Sequence, residues 1–164
     1  MSTATNVIRA SLATAQFCVN AYLSDLTDAD LLVRPVPGAN HIAWQLGHLI
    51  LSEHNMISAV CPGAMPALPD GFAARYTKET AKLNDPKAFD TKDVFLRLMN
   101  EQREGTVAAL AELNDDDLER PSPDSFRDYA PTVGAAFDLQ ASHWMMHSGQ
   151  WVIVRRVLGR DPLF

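Results

Sequence analysis

Four segments of the chain carry apolar residues spaced three or four positions apart. This period is typical of helices that bury one face. It predicts helices over residues 3–25, 41–60, 92–113 and 133–158. The second is apolar almost all round, so we expect it to be buried on more than one side. The pattern therefore predicts an all-α fold, a four-helix bundle.

Residues that favour helix ends stand at the predicted boundaries: Ser2 or Thr3, Asn40, Thr91 and Thr132 at helix starts, and Gly159 at the last helix end. Prolines break the helical pattern in the connectors 27–38, 61–90 and 114–131. A segment as long as 61–90 within a compact domain is often functional. The long connectors favour crossover topology over an up-down bundle with short loops.

The pattern Leu-x-x-Leu-[Thr/Asn]-Asp-x-Asp-Leu, followed by Arg-Pro, occurs twice, in residues 23–35 and 110–121. Each copy ends one predicted helix and precedes another. Such self-similarity predicts two helix-connector-helix halves related by an approximate two-fold axis. The second and fourth helices would then lie side by side at the centre of the bundle.

Composition and charge narrow the class of protein. A chain of 164 residues fits one domain, here residues 1–164, that can bury roughly 70% of its unfolded surface. The net charge of −6 and the lack of a basic cluster argue against nucleic acid as a partner. Two distant cysteines, no signal-peptide pattern and no long apolar run lead us to expect a cytoplasmic protein without a membrane span.

The fourth predicted helix carries the most informative polar residues. His143 and His147 are four apart, so they project from one face and can reach one metal ion. Gln140 and Gln150 lie on the same stripe. Apolar residues flank it on both sides: Phe137, Trp144, Trp151 and Leu158 on one, and Leu139, Met146, Ile153 and Val157 on the other. We therefore expect the stripe to face the interior, with Ser148 and Arg155 on the opposite, solvent face.

Buried polar side chains need a hydrogen-bond partner or a bound group. His48, on an apolar part of the second helix, is the candidate third ligand. Gln150 would orient a ligand or a bound water. Of the other polar residues of that helix, His41 suits a cap or surface role, His54 an exposed position, and Glu53 either a solvated position or a catalytic base. A pair of core histidines without metal remains the alternative interpretation.

Three histidines leave coordination positions free, which is typical of a catalytic or ligand-exchanging site for zinc, nickel, copper or iron. Zinc is the first choice. His143 is not followed by the glutamate of a zincin protease, no Glu-x-x-His motif of a di-iron bundle occurs, and no Gly-x-Ser-x-Gly motif of a serine hydrolase occurs. A Lewis-acid site that binds water or a thiolate remains.

Residues 37–49 (Pro-Gly-Ala-Asn-His-Ile-Ala-Trp-Gln-Leu-Gly-His-Leu), the closing His143-x3-His147-Ser148-Gly149-Gln150 and the Asp-x-Asp-Leu connector resemble the DinB/YfiT-like superfamily. The resemblance spans essentially the whole chain. It implies a four-helix bundle, often a homodimer, in which His48, His143 and His147 bind zinc or nickel. It also implies relatives that are transferases or isomerases using bacillithiol or mycothiol.

The sequence thus predicts a metal-dependent transferase. A small thiol would bind the ion as thiolate and attack an electrophile beneath the segment 61–90, where Arg75 and Tyr76 would contact the substrate. One alternative is a metal-dependent hydrolase that activates water. Another is a non-catalytic protein that binds a metal or a small molecule.

Overall fold

The computed structural model describes residues 2–164 and confirms the all-α prediction. Four long helices form a bundle, and two short helices lie in its connectors. The helices are α1 (Thr3–Leu23), α2 (Ile42–Val60), α3 (Phe72–Arg75), α4 (Lys92–Ala111), α5 (Asp115–Glu119) and α6 (Val133–Val157). Within residues 2–164 no helix is long and apolar enough to cross a membrane.

Side-chain caps fix three of the long helices at their starts. The hydroxyl of Ser2 accepts the N–H of Thr5, and that of Thr132 accepts the N–H of Ala135. The prediction that Asn40 caps α2 is wrong, because the cap is His41, whose Nδ1 accepts the N–H of Trp44 at 3.1 Å. A cap that is an imidazole leaves its other ring nitrogen free to bond elsewhere.

Contacts along the bundle give the direction of each helix. Near the C-terminal ends of α1 and α6, Arg155 donates to the carbonyl of Tyr22, so these neighbours run parallel. Helices α2 and α6 run antiparallel, as the bonds Gln45–Trp151 and Met56–Gln140 show.

Helices α1 and α4 also run antiparallel, since Gln16 bonds to Asn100 and the start of α4 lies at the end of α1, where Lys92 donates to the carbonyl of Ser24. Helix α4 is therefore parallel to α2. The segment 61–91 must run the length of the bundle, which makes it the crossover, whereas the other two connections each join helices at one end.

Each helix of one half packs against both helices of the other half. Helix α1 contacts α4 and α6, and α2 contacts the same two. This interlocked arrangement is what an approximate two-fold between α1–α2 and α4–α6 requires. It places α2 directly beside α6, as the sequence repeat predicts.

The repeat also has a common local structure. In the first copy the N–H of Thr27 donates to Asp30 and the N–H of Asp30 donates to Thr27, at 2.9 and 3.2 Å. In the second copy Asn114 and Asp117 exchange the same two bonds, at 3.1 and 3.0 Å. Each reciprocal cap starts a short helical turn and satisfies N–H groups that would otherwise lack partners.

The predicted solvent face of α6 is wrong for Ser148 and Arg155. Ser148 and Arg155 are buried against α1, where Arg155 bonds to the carbonyl of Tyr22 and to the carboxylate of Asp25. Met146, Ile153 and Val157, predicted to be buried, are 61%, 46% and 58% exposed. The apolar pattern could not choose between the faces, because a buried arginine is stable when a carboxylate and a helix C-terminal carbonyl compensate it.

Candidate metal centre

Three histidines from two helices meet on the flank of the bundle. His48 comes from α2, and His143 and His147 come from successive turns of α6. One ring nitrogen from each lies within 4.8 Å of the others, and all three rings are half-buried. The antiparallel packing of α2 on α6 produces this cluster, because it brings the first half of α2 beside the middle of α6.

The spacing of the ring nitrogens fits a shared ion. Nε2 of His48 lies 3.3 Å from Nε2 of His143. Two nitrogens each about 2.05 Å from a tetrahedral zinc ion would lie about 3.3 Å apart. Two unprotonated nitrogens at this separation repel each other unless a proton or a cation lies between them. The donor set is therefore suited to a divalent ion.

The surroundings keep the three imidazoles neutral. Burial lowers the pKa of His48. Burial and the neighbouring histidines lower the pKa of His143 and of His147 to about 4. A neutral imidazole has the lone pair that a metal ligand needs, so at neutral pH all three can coordinate without first losing a proton.

Trp44 fixes the orientation of the His48 ring. The two rings are stacked, with centroids 5.1 Å apart and planes within 4° of parallel. The indole N–H of Trp44 donates to the carbonyl of Thr77 at 2.9 Å. The crossover segment thus contacts the cluster indirectly, through the tryptophan that supports one of the histidines.

A family model for the DinB superfamily matches residues 13–151. The chain belongs to the DinB superfamily. A search of the curated proteins found no match.

Solved structures of similar proteins have the same fold. A conserved protein from Enterococcus faecalis is 20% identical, with a TM-score of 0.72 over 98% of this chain and 99% of that one. YfiT from Bacillus subtilis, described as a probable metal-dependent hydrolase with an unusual four-helix bundle topology, is 19% identical, with a TM-score of 0.68 over 98% of this chain and 91% of that one. These likenesses confirm the four-helix bundle.

Not every residue that the sequence predicts for the site of this DinB-superfamily protein lies beside the histidines. Tyr76 is buried against Gly47, about 100° around α2 from His48, and its hydroxyl donates to Asp90 at 2.7 Å. Arg75 pairs with the same carboxylate at 2.8 Å. Both side chains bond to Asp90 within the crossover segment, just before α4, and their contact with a substrate stays a prediction.

Glu53 is neither solvated nor available as a base. It is 1% exposed and accepts hydrogen bonds from Arg103, Thr106 and Trp144, at 3.0, 2.7 and 2.7 Å. The carboxylate thus ties α2 to α4 and α6. Both oxygens of Glu53 already accept hydrogen bonds, and the buried carboxylate is not open to a substrate.

The two remaining histidines have structural roles. His41 caps α2, as predicted, but it is fully buried, and its Nε2 bonds to the carbonyl of Leu83 at 3.1 Å. His54 is half-buried and bonds to Gln102 at 3.0 Å, although we expected an exposed position.

Sequence reasoning missed Gln45. Its side chain is buried, and its Oε1 lies 3.1 Å from Nδ1 of His147. Gln150, predicted to orient a ligand, is exposed and reaches only the amide of Gln45, at 3.3 Å. The available signal was a glutamine three residues before His48, in the apolar first half of the helix. Burying such a group is costly unless it has partners.

Proposed function

We propose that this protein is a divalent-metal-dependent transferase that joins a small thiol to an electrophilic substrate. The observation that carries the proposal is the group of three neutral imidazoles, from two helices, with ring nitrogens within 4.8 Å of one another. Zinc and nickel both accept such ligands, and three protein ligands leave a position for an exchangeable partner.

The choice of a thiol rests on the lack of a general base other than the three proposed metal ligands. The cluster contains only histidines, and Glu53 is already bonded to three donors. A divalent ion held by neutral ligands would lower the pKa of a coordinating thiol far enough for its proton to leave to solvent. The thiolate sulfur then forms a bond to the electrophilic carbon, and the leaving group departs with the electrons of its own bond.

A hydrolase is the second candidate, and the similarity to YfiT favours it. That protein is described as a probable metal-dependent hydrolase. The same three histidines would suit a divalent ion that activates water. Esters, whose leaving groups need little help from a general acid, are the substrates most compatible with a cluster made only of imidazoles.

We also propose that two copies pair through α6. Leu139, Met146, Ile153 and Val157 form one stripe along this helix, next to His143 and His147 on its surface, and the last three are exposed. A spacing of seven between the first three residues is typical of helices that pack lengthwise against a partner helix. A two-fold dimer would bury the same stripe on both copies.

Because Cys18 and Cys61 are free thiols, we place the enzyme in the reducing cytoplasm.

Metal content and thiol-dependent turnover, measured together, test the transferase. We expect about one zinc or nickel ion per chain and turnover of an electrophile panel with bacillithiol, mycothiol or glutathione. His48→Ala should lose both, with an unchanged helical circular dichroism spectrum. His54→Ala, the same change on the same helix outside the cluster, should lose neither.

Other outcomes separate the alternatives. Metal binding without thiol-dependent turnover across the panel would overturn the transferase. Turnover of esters or amides without added thiol would then identify the hydrolase. If the wild-type protein binds no metal, even after reconstitution, the three histidines are core residues and not metal ligands.

A further inference from the structure

Gln45 connects the cluster to two groups whose hydrogen-bonding roles cannot change. Its side-chain oxygen accepts the indole N–H of Trp151 at 2.8 Å. Its side-chain nitrogen donates to the backbone carbonyl of Asn40 at 2.8 Å. An indole N–H can only donate and a carbonyl can only accept. Turning the amide over would set donor against donor and acceptor against acceptor, so its orientation is fixed.

The fixed amide determines which nitrogen of His147 carries the proton. The oxygen of Gln45 lies 3.1 Å from Nδ1 of His147. An amide oxygen can only accept, so a hydrogen bond at this distance requires a proton on Nδ1. In the neutral ring Nε2 then keeps its lone pair for the cluster.

We propose that Gln45, held by Trp151 and Asn40, is a positioning residue that fixes His147 as the Nδ1–H tautomer. The inference about the tautomer concerns the protein without metal, and its value for metal binding rests on the proposed function. Outer hydrogen bonds of this kind orient ligand imidazoles and raise their basicity.

The role assigned to Gln45 differs from simple packing. Gln45 and Trp151 are buried in the interface between α2 and α6, so any substitution there affects packing. Only the bond to Nδ1 affects the position of the imidazole proton. The tautomer is therefore the quantity to measure.

The test is ¹⁵N NMR of the ring nitrogens of His147 in the full-length chain without metal, at about pH 8, where the ring is neutral. The wild-type protein should show a protonated Nδ1 and an unprotonated Nε2. Gln45→Leu, which removes the acceptor, should populate the Nε2–H tautomer. Gln45→Glu, protonated at the oxygen that faces the Asn40 carbonyl, still offers an acceptor to His147 and should retain the wild-type tautomer. An Nε2–H tautomer in the wild type, or no change in Gln45→Leu, would overturn the proposal.

A pair of tryptophan variants tests the indole. Trp151→Phe removes the N–H that opposes rotation of the amide, and it should increase the Nε2–H population. Trp144→Phe is the matched control: it removes a similar volume from the same helix, but its N–H bonds to Glu53 and not to Gln45. Equal tautomer populations in the two variants would overturn the role assigned to Trp151.

Zinc affinity, measured by competition with a chelator, provides a second readout. Gln45→Leu should bind zinc about 10- to 100-fold more weakly than the wild type, and Gln45→Glu should bind at least as tightly. If the wild type binds no zinc but the tautomers behave as expected, the proposed function fails and the positioning role of Gln45 stands. Equal zinc affinity of the wild type and Gln45→Leu would overturn the contribution of Gln45 to the metal site.

Discussion

Each imidazole of the cluster lies where a positive charge is unfavourable. Burial and mutual repulsion hold the pKa of His143 and His147 at about 4, well below the ordinary value of about 6.5. Such a histidine costs the folded protein nothing at neutral pH, where it is uncharged. It lowers the stability of the folded state only at a pH where the unfolded chain binds a proton at this position and the folded chain does not.

The metal-free protein should therefore lose stability in acid. Below about pH 6.5 the unfolded state binds protons at these positions and the folded state does not, so the free energy of unfolding should fall until about pH 4 and then stop changing on their account. Urea midpoints measured between these limits check this. A variant with both residues changed to Gln should lose much less stability over the range, and an equal loss would show that other groups are responsible.

At the residue scale the sequence predicted the three histidines of the cluster but not the side chains that contact them. Spacing alone placed His143 with His147, and the repeat, by putting the second and fourth helices side by side, placed His48 opposite them. The partner of His147 could not be predicted, because the contact with Gln45 joins residues 102 apart. The packing of Tyr76 could not be predicted for the same reason: nothing local indicates that its ring packs on a glycine of α2 and that its hydroxyl bonds to Asp90.

At the scale of elements, one buried carboxylate, that of Glu53, joins three helices. Glu53→Gln should leave the charge of Arg103, whose side chain is 9% exposed, without compensation and cost about 3–5 kcal/mol of stability. Glu101→Gln breaks the exposed pair with Arg97 on α4 and should cost about 1 kcal/mol at most. Urea unfolding of both variants measures the difference. Similar losses would contradict the role given to the buried pair.

Substitution by alanine at two helical glycines should change the stability of the protein in opposite directions. A Cβ at Gly47 would lie 2.1 Å from the ring of buried Tyr76, so Gly47→Ala should destabilise the protein by about 1–3 kcal/mol. A Cβ at Gly149 would meet nothing within 4 Å, so Gly149→Ala should stabilise α6 by about 0.5–1 kcal/mol. Thermal unfolding reports both signs, and a stabilised Gly47→Ala would show that Tyr76 can move away.

The positions of the long helices could be predicted from periodicity and caps to within a few residues at each end. Which face of α6 is buried could not, since it depends on the pairing of Arg155 with Asp25, which lies just past the end of α1. The short helices α3 and α5 were also missed. Apolar periodicity detects a helix only when it is long enough to show several turns.

At the scale of the whole molecule, the exposed stripe on α6 predicts association. Ile153→Glu should convert the proposed dimer to monomers, because a charge would have to be buried at the centre of the interface. Val7→Glu changes a residue of similar exposure on α1, outside the stripe, and should leave the dimer intact. Sedimentation equilibrium distinguishes the states. A monomeric wild-type protein would overturn the proposal.

The repeat in the sequence predicted two related halves, and the interlocked bundle agrees with it. The sequence did not indicate which connector crosses the bundle, since all three have similar polar, proline-bearing compositions. Only long-range contacts, such as that between Lys92 and the end of α1, settle the direction of α4.

The interlocking has a consequence for the chain during its synthesis. Helix α2 packs against α4 and α6, which leave the ribosome after it. Until then its apolar surface has nothing of its own chain to cover it, apart from the short stretches beside it. We therefore expect the nascent first half to remain unfolded and to bind chaperones, with folding and the assembly of the histidine cluster both delayed until His143 and His147 have emerged.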